Sequence, residues 1–78
     1  MDELLAWIAR GLVDDPAAVR VERLDEGDVV VLRLHCAPDD VGKVIGRQGR
    51  LAEALRTLVA ATAHHHGIRA TLEIRDPE

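Results

Sequence analysis

From Val44 to Arg50 the chain reads Val-Ile-Gly-Arg-Gln-Gly-Arg, two glycines three positions apart with two polar residues between them. A short apolar-spaced run, Val41, Val44 and Ile45, leads into it, and a longer amphipathic stretch follows from Leu51. Glycine allows a sharp turn and a close approach to the backbone, because no Cβ stands in the way. The junction therefore predicts two helices joined by a tight turn, not one continuous helix. The second helix offers free N–H groups and the positive end of its dipole at that turn. Lys43, Arg47, Arg50 and Arg56 add cationic side chains. The combination suits the holding of a phosphodiester backbone.

The rest of the chain supplies the scaffold for this turn. Leu4, Leu5, Ile8 and Leu12 recur at helical spacing, with Asp2 as N-cap and Glu3 in the first turn. Asp14-Asp15-Pro16 ends that helix, since the residue before proline avoids the helical region. Trp7 is expected in the core or at the helix edge, not as a platform for stacking bases. Residues 19–24 and 29–35 are rich in β-branched residues, and the polar link Asp25-Glu26-Gly27-Asp28 joins them as a hairpin. The second strand opens as a near-continuous apolar run, which predicts a central strand covered on both faces.

Ala37-Pro38-Asp39-Asp40 then resets the chain. Pro38 or Asp39 starts a short helix that runs through Val44 or Ile45, with Asp39 and Asp40 as helix caps. Beyond the glycine turn, Leu51, Leu55, Leu58, Val59 and Thr62 share one helical face. Ala52, Ala54, Ala60, Ala61 and Ala63 favour the helix, and Gly67 suits the position just past its end. Residues 68–75 alternate strictly, a strand with Ile68, Ala70, Leu72 and Ile74 inward. The order is α-β-β-α-α-β. A helical crossover favours a last strand parallel to the one it left. The expected fold is α+β, a single domain over residues 1–78. It has a three-stranded mixed sheet, the second strand central, and three helices on one face.

Composition narrows the function. With 78 residues the chain can bury one small core. Phe and Tyr are absent and Trp7 is the only aromatic, so the core is Leu, Val, Ile and Ala. Cys36, the sole cysteine, cannot form an internal disulfide, which fits a reducing compartment, and it is expected as a small buried hydrophobe. No apolar run is long enough to span a membrane, and no basic segment precedes an apolar one as in a signal peptide. A cytoplasmic protein is the expectation. The net charge is −4, but residues 43–56 carry +3 and the remainder −7. A local cationic patch on an acidic body can hold one strand at one place. No nucleophile with its base, phosphate-binding P-loop or dinucleotide fingerprint is readable, so neither catalysis nor a cofactor is expected. His64-His65-His66 cannot converge on one metal ion while helical, because successive residues lie about 100° apart. These histidines suit a helix C-terminus.

The order α-β-β-α-α-β, with Val44-Ile45-Gly46-Arg47-Gln48-Gly49-Arg50, resembles a type II K-homology (KH) domain. More narrowly, Ala37-Pro38-Asp39-Asp40-Val41-Gly42-Lys43 leading into that stretch, with Ala54-Leu55-Arg56-Thr57-Leu58 after it, resembles the small stand-alone bacterial KH proteins of the KhpA type. The resemblance covers nearly the whole chain. It implies single-stranded RNA binding with Gly46 to Gly49 as the clamp, and a role as RNA chaperone or post-transcriptional regulator. It also implies self-association, or pairing with a larger KH-domain protein that carries a second nucleic-acid-binding domain.

The implied RNA-binding residues are Lys43, Val44, Ile45, Gly46, Arg47, Gln48, Gly49 and Arg50. Gly46 and Gly49 let phosphates approach main-chain N–H groups. Arg47 and Gln48 contact phosphate or sugar, Arg50 follows at the helix start, and Lys43 precedes the loop. Val44 and Ile45 offer an aliphatic floor for bases. The junction at His64-His65-His66 resembles the variable loop of type II KH domains, a lesser candidate for RNA contact. With one aromatic residue, base stacking is not a main source of affinity. The alternative is a protein-interaction or dimerisation module on the same fold, working through its acidic surface or a dimer face.

Overall fold

The computed structural model describes residues 2–75. Helix α1 (Asp2–Leu12) is followed by a short 3-10 turn at Pro16–Ala18, strand β1 (Arg20–Glu26) and strand β2 (Val29–His35). A second 3-10 turn (Pro38–Asp40) precedes helix α2 (Val41–Ile45). A third (Arg47–Gly49) leads into helix α3 (Arg50–His65), and strand β3 (Arg69–Arg75) completes the domain. Strand β2 is central, antiparallel to β1 and parallel to β3. The α+β fold, the strand order and the parallel crossover are those expected from the sequence.

The hairpin is tighter than the polar link implied. Asp25 and Glu26 stay in the ladder opposite Val30 and Val29. Only Gly27 and Asp28 turn the chain, with a positive φ of 66° at Gly27. A two-residue turn with glycine first matches the right-handed twist of the flanking strands.

Core residues from all three helices pack on one side of the sheet. Leu5, Ala9, Val44, Leu55 and Val59 meet Val30, Leu32, Leu34 and Leu72, with Cys36 buried among them. The other side carries no helix, so β2 is not covered on both faces as its apolar run predicted. Val31 is nevertheless buried there, because Leu24 and Thr71 flank it in register. Around this apolar strip the bare face is ionic. Arg33 Nε donates to Glu73 at 2.8 Å, Arg75 lies 3.3 Å from the same carboxylate, and His35 Nε2 is 3.2 Å from Glu22. Such cross-strand pairs stabilise a sheet through the neighbours each side chain meets.

The helices are rotated from the expected faces. In α1 the buried residues are Leu5, Ala6 and Ala9, while Leu4 and Trp7 point outward; Trp7 is 71% exposed, outside the core. In α3 the buried set is Ala52, Leu55, Val59 and Ala63, with Leu51 partly packed and Leu58 exposed. Thr62 turns its hydroxyl to the Leu58 carbonyl at 2.8 Å. Alanines let a helix approach the sheet closely, and that proximity displaces the larger side chains to the edge. Asp2 lies within α1 itself, where the sequence predicts an N-cap. Ile68 lies just before β3 and is exposed, whereas Ala70, Leu72 and Ile74 pack inward as expected. Gly67, at φ 73°, ends α3 in a Schellman motif: the Ile68 N–H reaches the Ala63 carbonyl at 2.9 Å and the Gly67 N–H that of His64 at 3.0 Å.

Candidate nucleic-acid interface

The turn between α2 and α3 depends on its two glycines for different reasons. Gly46 has φ 77°, and a Cβ there would lie 2.6 Å from the Leu51 Cβ and 3.0 Å from its nitrogen. Its conformation and its missing side chain are both required. Gly49 has φ 72° but open space around it, so only the dihedral asks for glycine. Between them Gln48 sits at φ 57°, the one non-glycine residue in the left-handed region among the described residues. Holding a side chain there costs about 1–2 kcal/mol and persists only where the surroundings fix the backbone.

Arg47, Gln48 and Arg50 are exposed on this turn. Gly49 is the N-cap of α3, and no side chain closes that helix end. Arg56 is exposed one to two turns further along α3. The Gly46 N–H is already taken by the Gly42 carbonyl at 3.0 Å, and the Gly49 N–H by that of Gly46 at 3.2 Å. The two glycine amides therefore hold the turn itself. Ile45 is partly exposed beside the turn, whereas Val44 is fully buried in the core and backs the loop from inside.

Lys43 is engaged elsewhere. Its ammonium binds the Asp14 carboxylate and lies 3.4 Å from Asp40 Oδ1. Asp14 raises its pKa most, burial opposes, and Asp40 adds to the rise. Asp40 itself is only 2% exposed. Its Oδ1 accepts the Asp14 N–H at 3.3 Å and its Oδ2 the Asp15 N–H at 3.0 Å. Asp40 occupies the N-cap position of α2, but its side chain makes no capping hydrogen bond, so the expected cap role does not hold. The reason lies in the turn after α1, where N–H groups left without helical partners need an acceptor. Burial pushes the Asp40 carboxyl up, yet the Asp15 and Asp14 amides and Lys43 outweigh it and hold the pKa below its ordinary value.

Asp14 and Asp40 are the residues the sequence reading assigned differently. For Asp40 the local signal is Asp40-Val41-Gly42-Lys43, an acid three residues before a lysine; Asp14 has none, since Lys43 lies 29 residues away. The histidines fall where expected: His64 and His65 end α3, His66 caps it, and all three are exposed. Among the described residues no group of three or more His, Cys, Asp or Glu could hold a metal, and no helix is long and apolar enough to cross a membrane.

The chain matches the family of the KhpA/KhpB KH domain over residues 2–74. It is 51% identical over 75 residues to the RNA-binding protein KhpA of Treponema pallidum, covering 96% of this chain and 94% of that protein. The same-named protein of Caldanaerobacter subterraneus is 47% identical over 74 residues, covering 95% of this chain and 99% of its own. That of Halalkalibacterium halodurans is 47% identical over 76 residues, covering 97% and 100%. The chain belongs to the KhpA/KhpB KH-domain family.

Proposed function

We propose that this KH domain binds single-stranded RNA through the loop from Gly46 to Gly49 and acts, without catalysis, as an RNA chaperone or post-transcriptional regulator. The observation that carries the reading is the packing of Gly46 on Leu51, which holds Arg47, Gln48 and Arg50 outward at an uncapped helix start. Phosphate oxygens meet the amides of Arg47 and Gln48, since those of the two glycines are engaged within the turn. The Arg47 and Arg50 side chains add charge, Ile45 lies against a base or sugar, and Val44 supports the loop from the core. The RNA-binding name carried by the relatives supports the same reading.

The protein pairs with itself or with a larger KH-domain protein, in keeping with a family named for two members. It works in the cytoplasm, where a lone thiol such as Cys36 stays reduced.

The test is replacement of Arg47 and Gln48 together by aspartate. Both side chains project from the turn, so folding is expected to be intact. Two carboxylates there repel phosphate and compete for the positive end of the α3 dipole, so binding of a labelled single-stranded RNA is expected to vanish. A folded double variant that binds RNA like the wild type removes the loop from the site. The protein-interaction module then takes its place.

A further inference from the structure

We infer that Asp40, Lys43 and Asp14 form a brace that positions the glycine loop, so that Lys43 serves RNA binding by holding α2 in place and not by contacting phosphate. The inference rests on the RNA reading of the loop. Helix α2 has five residues, too few to keep its place by its own hydrogen bonds. Three contacts fix it instead. At its start the buried Asp40 carboxylate grips the Asp14 and Asp15 amides, tying α2 to the end of α1 across 25 and 26 residues of sequence. One turn on, Lys43 closes the ring by bridging Asp40 and the Asp14 side chain. At its far end Val44 enters the core and Gly46 rests on Leu51.

Charge separates Lys43 from the loop cations. Two carboxylates surround one ammonium, so the brace carries a net negative charge and is a poor place for a phosphate. Arg47, Arg50 and Arg56, by contrast, are exposed and have no carboxylate partner among the described residues. Three engaged cations give a slope of log affinity against log salt of about −2 for a single strand, against about −3 if Lys43 joined them. A loop that holds Gln48 in the left-handed region needs a rigid support, and the brace provides it at the start of α2.

The sign of the charge effect makes the test sharp. A labelled single-stranded RNA is titrated at several salt concentrations against the wild type, Lys43→Gln, Lys43→Arg and Asp14→Asn. The brace predicts that Lys43→Gln weakens binding several-fold with the wild-type salt slope, and that Lys43→Arg recovers most of it. It predicts that Asp14→Asn also weakens binding, although removing a carboxylate near a polyanion would by charge alone tighten it. A slope shallower by about 0.7 in Lys43→Gln would mark Lys43 as a phosphate contact, and tighter binding by Asp14→Asn would remove the brace. Amide hydrogen exchange separates the brace from the RNA reading. Faster exchange over residues 46–49 in Lys43→Gln, with β2 unchanged, supports the brace even if the wild type binds no RNA. Unchanged exchange over the loop overturns it.

Discussion

Gly46 and Leu51 sit so close that a single added carbon on Gly46 would lie 2.6 Å from the Leu51 Cβ. At Gly46 a side chain meets both a steric and a dihedral barrier; at Gly49 it meets only the dihedral one. Gly46→Ala is therefore expected to destabilise the domain by about 2–4 kcal/mol, combining overpacking with a left-handed backbone. Gly49→Ala is expected to cost about 1–2 kcal/mol. Urea denaturation of the two variants checks the order, and an equal or larger loss at Gly49 contradicts it.

Leu55 and Leu58 are a second matched pair. The same residue type occurs three positions apart on α3, but Leu55 is 3% exposed and Leu58 37%. Leu55→Ala is expected to lose about 2–5 kcal/mol, and Leu58→Ala about 1 kcal/mol or less. Thermal or chemical unfolding followed by circular dichroism distinguishes them. A loss at Leu58 as large as that at Leu55 would restore the helical face expected from the sequence.

Acid should loosen the domain through two carboxylates. The Asp40 and Glu73 pKa values both lie below their ordinary ones. For Glu73 the hydrogen bond from Arg33 is the main cause, burial opposes it, and Arg75 assists. A depressed folded-state pKa gives stability that is present above the unfolded value and lost as pH falls through the folded one. Stability should therefore hold at neutral pH and decline below the ordinary carboxylate range. Asp40→Asn and Glu73→Gln should each flatten part of that fall. Urea midpoints measured from neutral to strongly acid pH read this out; a wild-type slope in both variants would assign the acid response to other groups.

Trp7 is a convenient witness to the α1 surface. At 71% exposure its emission should be red-shifted, readily quenched by acrylamide and little altered by unfolding. A blue-shifted emission in the native protein that reverts on dilution would show that a second molecule covers α1.

The strands and their order were legible because strict alternation in residues 68–75 and the hairpin signal are local patterns. The glycine turn was legible for the same reason: its backbone demands are met within six residues. The helix faces were less so. Alanine carries a weak hydrophobic signal, yet Ala6, Ala9, Ala52 and Ala63 are what allow close packing and push Leu4, Trp7 and Leu58 outward. Val31 read as doubly covered because shielding by Leu24 and Thr71 leaves the same apolar trace in the sequence as a covering helix. Asp40 looked like a cap because its true partners, the Asp14 and Asp15 amides, stand more than twenty residues away.

The ionic side of the sheet has a consequence for how the strands find their alignment. A slip of β3 along β2 by one residue would turn Leu72 to water and Glu73 inward, so the core rejects it. A slip by two keeps every apolar residue facing the helices, and hydrophobic burial alone discriminates weakly against it. In the native alignment Arg33 stands opposite Glu73. Two residues one way would put Arg33 opposite Arg75, and two the other way opposite Thr71, breaking the closest ion pair of the face in either case. The uncovered surface thus adds a register preference of its own, weighted against the slips by two that the apolar core opposes least.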